Sequence, residues 1–324
     1  MTLRRFAIAT ASLTFVLLLM GGLVHNTRSS LACPDWPLCY GQVFPKMEGG
    51  VLVEHSHRLV ASTVSLMAAI LMIAAWRSAR KTPSPEAKPE AKRLAWLTTF
   101  AFALVLTQAT LGGITVLLRL PPVVSTAHLA VSQLFFLSLI YIAFRAKDDQ
   151  RAPLAGKVQR MTLAGMVLVY LQMIIGAAMR HLGAGLACTD LPLCQGQLWP
   201  TNVHPNVSLH VVHRLFALVV FGHLIGMSIV TVKNARTTTV KLLAAAAPVL
   251  TLVQITLGVL SITTFLDAVP VTAHLGVAAA LLADCTILYL VSRGPLRARA
   301  TSATTADAPS RNLRNASSNQ GVAA

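Results

Sequence analysis

Eight stretches of this chain are apolar enough and long enough to cross a bilayer, and no other feature limits the fold so strongly. They run over about 6–24, 52–76, 94–117, 123–144, 161–179, 208–231, 242–263 and 271–292. Each is near the ~20 residues needed to cross ~30 Å of hydrocarbon. Backbone groups in lipid must bond within their own segment, and no stretch alternates as a barrel strand would, so all eight are expected to be helices. Only 12% of the 324 residues are charged, against roughly a quarter in soluble domains. The expected fold class is an all-α membrane protein with eight transmembrane helices.

A net charge of +16 invites a nucleic-acid reading, but the distribution of the charge rejects it. Lys and Arg concentrate between stretches 2 and 3 (Arg77, Arg80, Lys81, Lys88, Lys92, Arg93), 4 and 5 (Arg145, Lys147, Arg151, Lys157, Arg160) and 6 and 7 (Lys233, Arg236, Lys241), and at both termini. The alternate connections hold few, among them Arg28, Lys46 and Arg119. Short loops rich in Lys and Arg stay cytoplasmic, so both termini are expected inside. Arg4-Arg5, an apolar run and Ser30-Leu31-Ala32 outline a signal peptide. The run, however, exceeds the usual ~7–15 residues, and its Met20-Gly21-Gly22 end aligns with Ile175-Gly176-Ala177 of stretch 5. The first helix is therefore expected to be retained. Without a Ser/Arg-rich transit extension, the expected location is a bacterial plasma membrane.

The chain is also a duplication. Leu31-Ala32-Cys33-Pro34-Asp35-Trp36-Pro37-Leu38-Cys39-Tyr40-Gly41-Gln42 returns as Leu186-Ala187-Cys188-Thr189-Asp190-Leu191-Pro192-Leu193-Cys194-Gln195-Gly196-Gln197. A His-Arg pair follows each copy (His57-Arg58, His213-Arg214), and later a Thr-Ala-His triplet (Thr126 to His128, Thr272 to His274). The units are residues 1–150 and 151–295, with four helices each. An even helix number gives both the same orientation, so they are parallel repeats about an axis along the membrane normal. Loop 77–93 reads as a solvated connector. Residues 296–324, rich in Ser, Ala, Thr and Asn, read as a disordered cytoplasmic tail.

On this topology Cys33/Cys39 and Cys188/Cys194 lie in an oxidising compartment, where disulfides persist. Pro34, Pro37 and Pro192 favour the turn that brings the sulfurs together. Two structural disulfides are the plainer reading, with a redox or metal-handling role for one pair as the alternative. Cys285 has no repeat-mate and reads as a buried small apolar residue.

Of ten histidines, six (His25, His55, His181, His204, His210 and His223) lack an equivalent, whereas His57 matches His213 and His128 matches His274. All four fall at the extracytoplasmic ends of even-numbered helices, where polar groups are costly and mark function. Two neutral imidazoles facing each other across a four-helix bundle suit axial ligation of haem iron. Zinc or copper would want further protein ligands, and neither half repeats a carboxylate or third histidine. Arg58 and Arg214 match haem propionates, or else snorkel to the headgroups. Glu54 lies three residues before His57, on the same helix face, while its counterpart is His210. An acid beside one ligand only suggests that the N-terminal half takes a reactant haem and the C-terminal half a resident one. Gln108-x-Thr110-Leu111-Gly112 and Gln254-x-Thr256-Leu257-Gly258 allow close helix approach, or make room for a flat ligand. Asp284, with no repeat partner, reads as a packing or helix-end acid.

Taken together, Glu54-His55-Ser56-His57-Arg58, the Cys33/Cys39 loop, Gln108 to Gly113, Thr126-Ala127-His128, His213-Arg214 and Thr272-Ala273-His274 resemble the haem A synthase family over about residues 1–295. The resemblance implies an oxidoreductase that converts haem O to haem A for cytochrome oxidase biogenesis, oxidising the C8 methyl group to a formyl group by successive hydroxylations. His57 and His128 would hold haem O, His213 and His274 would ligate a resident haem b, and Glu54 would take part in the oxidation. Cys33–Cys39 would be the external disulfide that supports activity in many members, with Cys188–Cys194 its less certain counterpart. Haem O synthase and cytochrome oxidase assembly factors would be partners, alongside membrane lipid and no nucleic acid. Either an imidazole dissociates during turnover or the added oxygen comes from water. The rivals are a di-haem b-type membrane electron-transfer cytochrome, a disulfide-linked membrane oxidoreductase and a haem or metal transporter.

Overall fold

A computed structural model describes residues 2–146, 152–201 and 203–294. The tail expected to be disordered, 296–324, and the middle of the linker between halves lie outside the described residues. Eight helices span the described chain: α1 (Leu3–Asn26), α2 (Gly49–Lys81), α3 (Lys88–Leu117), α4 (Pro122–Arg145), α5 (Gly156–His181), α6 (Pro205–Asn234), α7 (Thr238–Thr263) and α8 (Ala268–Ser292). All eight are long and apolar enough to cross a membrane. Each contains its predicted stretch and extends beyond it at one end or both. A 3-10 turn covers Ala184–Leu186.

Helices α1 to α4 pack in a ring, each touching the next, with α1 against α4, and α5 to α8 repeat the arrangement. The halves meet along a seam of α1, α4, α5 and α8, which leaves α2, α3, α6 and α7 on the outside. Each ring has its own apolar centre, around Val64, Leu71 and Leu139 in the first and around Leu224, Met227 and Leu282 in the second. Phe15, Leu18, Leu137, Phe144 and Ile287 pack against both. The seam carries polar ties as well: Tyr170 Oη donates to the Ala130 carbonyl (3.1 Å) and Asn26 Nδ2 donates to Thr272 Oγ1 (3.0 Å).

The duplication extends to single backbone angles. The α3–α4 turn holds Arg119 and Leu120 at φ 56° and 65°, and the α7–α8 turn holds Phe265 and Leu266 at 53° and 65°. In each, an amide reaches back five residues (Leu120 N–H to Thr115 O, Leu266 N–H to Ser261 O), closing the helix end. Because spanning helices alternate in direction, the two cysteine segments and these two turns share one end of the molecule, here termed the loop end. At the opposite end Arg145 Nη2 donates to both carboxylate oxygens of Glu90 (2.6 and 2.7 Å), tying α4 to α3.

Candidate functional site

His57, His128, His213 and His274 lie near the loop ends of α2, α4, α6 and α8. Every one of these imidazoles rests edge-on against a glycine of the preceding helix. A Cβ at Gly21 would lie 3.1 Å from His57 Cε1, one at Gly112 3.1 Å from His128 Cε1, one at Gly176 2.9 Å from His213 Cε1 and one at Gly258 3.3 Å from His274 Cε1. The glycines of α3 and α7 thus make room for the imidazole rather than for a flat ligand directly, and those of α1 and α5 do the same. His57 is within electrostatic reach of His128, and His213 of His274, so each half holds one pair. Protein surrounds the four rings on most sides, yet each keeps some accessible surface, as a ring bordering a cleft does.

The pairs differ in how they are braced. His274 Nδ1 is 3.0 Å from the Gln254 carbonyl oxygen, which can only accept, so Nδ1 carries the proton and Nε2 presents its lone pair. Gln172 Nε2 donates to the His213 carbonyl (2.9 Å) and lies 3.2 Å from His213 Nδ1. An amide nitrogen only donates, so this contact steadies the ring but does not place a proton on Nδ1 as the Gln254 carbonyl does at His274. In the N-terminal half Nδ1 of His57 has no partner, while His128 faces the Gln108 carbonyl as His274 faces that of Gln254, without closing to the same short contact. Nε2 of all four makes no hydrogen bond among the described residues. A second partner of this kind fixes the tautomer and orientation of a metal-binding imidazole, so His274 is preset with Nε2 free, and His213 has a bracing side chain that His57 lacks.

The cysteine segments form two matching buckles. Cys33 is bonded to Cys39 and Cys188 to Cys194, and all four are buried. Cys39 and Gln42 bond each other across a two-residue turn whose central residues, Tyr40 and Gly41, have φ of 52° and 68°; Gln195 and Gly196 repeat it at 53° and 71°. A turn with both central φ values positive calls for glycine. Asp35 closes the first turn by accepting from Tyr40 N–H (2.6 Å) and Gly41 N–H (2.8 Å), and Asp190 accepts from Gly196 N–H (3.0 Å). These amides, Gly41 first for Asp35 and Gly196 first for Asp190, hold both carboxyls below their ordinary 3.8.

Arg58 and Arg214, expected at propionates or headgroups, are occupied by these buckles. Arg58 donates to the carbonyls of Asp35 (2.7 Å), Leu38 (2.6 Å) and Cys33 (3.3 Å), and Arg214 to those of Asp190 (2.9 Å), Leu193 (2.9 Å) and Cys188 (2.6 Å). Glu54 is buried, 2.6 Å from Arg58 Nη2, and accepts the Cys33 N–H at 2.8 Å. The acid that departs from the repeat is therefore joined to the disulfide. His210, in its place in the second half, has Nδ1 2.9 Å from the Ala184 carbonyl. His55 Nε2 lies 2.8 Å from the Val43 carbonyl. Its nitrogens and the sulfurs of Cys33 and Cys39 fall within 4.8 Å of one another; bonded to each other, those sulfurs offer no thiolate to a metal.

A flat iron ligand fits this arrangement on three counts. The donor sets are imidazole pairs, the rings are backed by glycine, and Gln108 and Gln254 each leave a buried side-chain oxygen without a partner. Sequence reading did not single out Gln172, whose equivalent in the first half is the apolar Leu17, nor the meeting of His25 with His181. Gly21 and Gly176 were visible as an alignment of two helix ends, but only the fold sets them against the histidines.

Fold and site together define a multi-pass membrane protein of two four-helix bundles, each with an imidazole pair at the loop end. The sequence profile of the COX15-CtaA family, described as cytochrome oxidase assembly protein, matches residues 4–50 and 46–286. The chain belongs to that family. It is 29% identical over 306 residues to Heme A synthase of Shouchella clausii, covering 90% of this chain and 97% of the relative. Heme A synthase of Alkalihalophilus pseudofirmus is 30% identical over 72% of this chain and 78% of its own length. That of Symbiobacterium thermophilum is 32% identical over 66% and 71%.

Proposed function

We propose that this chain is a haem A synthase, an oxidoreductase that oxidises the C8 methyl of haem O to a formyl group by successive hydroxylations. The observation that carries the site assignment is the buried acid found in one half only: Glu54 precedes His57 by one helical turn, and His210 takes its place before His213. His213 and His274 lie in the half without that acid, with His274 fixed by the Gln254 carbonyl, as suits a permanently held haem b. His57 and His128, in the half that holds Glu54, suit haem O, which must enter and leave as product. Bound haem b would supply one-electron redox capacity beside the substrate half. Positioning is then the work of the protein.

Glu54 is the acid of the substrate half. Its two oxygens are held by the Arg58 guanidinium and the Cys33 amide, which fix its orientation. A fixed negative charge stabilises positive charge developing at the oxidised carbon and can accept the proton released there. Because the Cys33 carbonyl and amide both belong to this network, the disulfide acts as the anchor of the acid. The bacterial relatives and the charge pattern support a bacterial plasma membrane, with the loop end extracytoplasmic. Haem O synthase and oxidase assembly factors are the proposed partners.

A di-haem electron-transfer cytochrome would need haems toward opposite membrane faces, whereas all four imidazoles share one end. The decisive experiment is expression with a haem O supply, followed by mass analysis of pigments extracted from the purified protein. Haem b together with formyl-bearing haem is expected; haem b alone, with haem O recovered unchanged, overturns the synthase reading.

A further inference from the structure

Two helices that barely touch bring an unusual group together at the loop end of the seam. His25 of α1 and His181 of α5 meet edge to face, ring centroids 4.8 Å apart and planes at 70°. Arg180 adjoins His181 in sequence and acts electrostatically on His25, and Arg28 in turn acts on Arg180. No acid answers them: the ion pairs among the described residues use Lys46, Arg58 and Arg145. Arg180 makes no hydrogen bond among those residues, and its Nε and the Nε2 of His25 are buried without partners. A partly enclosed guanidinium left without an anion is costly, and its planar fork is shaped for a carboxylate.

The position of Arg180 says which carboxylate. It lies four residues after Gly176, hence on the same face of α5, one turn beyond the glycine that backs His213. His25 stands in the same relation to Gly21 and His57. Close by, Asn26 donates to Thr272, two residues before His274. A porphyrin held by His213 and His274 would thus have Arg180 at its loop-end edge, where Arg214 is already occupied by the Cys188–Cys194 buckle.

We propose that Arg180, walled by the His25–His181 pair, forms a carboxylate site on the seam between the halves that grips a propionate of the haem held by the C-terminal half. His25, an imidazole where the second half has a guanidinium, is its weaker counterpart toward the haem of the N-terminal half. The proposal rests on the haem reading above.

The test is titration of the full-length purified chain, prepared from haem-limited cells, with haem b and separately with haem b dimethyl ester, followed by Soret absorbance. The relevant site is the one absent in His213→Ala. Wild type is expected to bind the free acid about tenfold more tightly than the ester, in line with one charge-assisted hydrogen-bonded pair. Arg180→Gln is expected to bring the ratio close to one, and Arg180→Lys, which keeps the charge without the fork, to leave an intermediate ratio. Should Arg180→Gln fold poorly, Arg180→Lys alone decides: a ratio equal to wild type overturns the proposal. An undiminished preference in Arg180→Gln, or no preference in wild type, overturns it likewise. Failure of wild type to bind either pigment instead removes the haem reading itself.

Discussion

Glu54 shows how one substitution in a duplicated frame changes the chemistry of a site. Its counterpart His210 merely meets a carbonyl, whereas Glu54 couples Arg58 to the amide of Cys33. Glu54→Gln keeps an acceptor for that amide and a partner for Arg58 but loses the charge. Formyl-bearing haem should vanish, haem O should accumulate and haem b should be retained in the extracted pigments, with thermal stability near wild type. Glu54→Ala should show the same pigments and also lose stability, since breaking a buried pair costs about 3–5 kcal/mol, here toward the lower figure because Arg58 keeps three carbonyl acceptors. Loss of haem b in either variant would reverse the assignment of the halves. Asp35 and Asp190 predict a pH response of a different kind. Their folded pKa values are depressed by turn amides, so their contribution is complete above the ordinary 3.8 and is lost as pH falls through the lower folded value. Protection of the Tyr40 and Gly41 amides against hydrogen exchange should hold from neutral pH down to 5 and fall only below 3.8; a fall near neutrality would exclude Asp35 as the clasp.

At the scale of the helix, the glycine–histidine pairing is the repeated unit of construction: an odd helix gives way, and the next even helix places its ring in the space. The spacing left for a Cβ ranks the four sites, with Gly176 tightest at 2.9 Å and Gly258 loosest at 3.3 Å. Within the C-terminal half, Gly176→Ala should push His213 out of line and lower haem b occupancy about tenfold, as an overpacking strain of 1–3 kcal/mol implies. Gly258→Ala should cost less, because the His274 ring needs to yield only a few tenths of an ångström. The Soret absorbance per mole of purified protein checks the ordering; equal losses would show that the cradle does not set the ring. Sequence made half of this unit legible. Gly112 and Gly258 stood out within a repeated Gln-x-Thr-Leu-Gly motif, and the four histidines stood out by recurrence. That the glycines serve the imidazoles could not be read, because it depends on which faces of adjacent helices meet. The loop contacts of Arg58 and Arg214 were hidden for the same reason: adjacency to a histidine along the chain says nothing of a loop that folds back over them.

For the molecule as a whole, hydropathy and charge were sufficient for the eight helices because the bilayer permits few other solutions. The seam was not legible, since it rests on small contacts such as Asn26 with Thr272 and on Phe15, Leu18 and Leu137 packing into both cores. The seam matters because it sets two chemically unlike sites side by side at one end, one with a buried acid and one without. Division of labour between the halves has a direct test in removing one imidazole from each. His57→Ala should keep haem b at near wild-type occupancy while formyl-bearing haem disappears, because only the substrate half has lost a ligand. His213→Ala should lose haem b and, with it, turnover, while haem O binding by His57 and His128 survives as a separate spectral species. The two variants therefore differ in which pigment remains, and mass analysis of the extracts distinguishes them without reference to activity. Identical pigment losses in both would mean that the halves do not act as separate sites, and the assignment of substrate to one and cofactor to the other would fall.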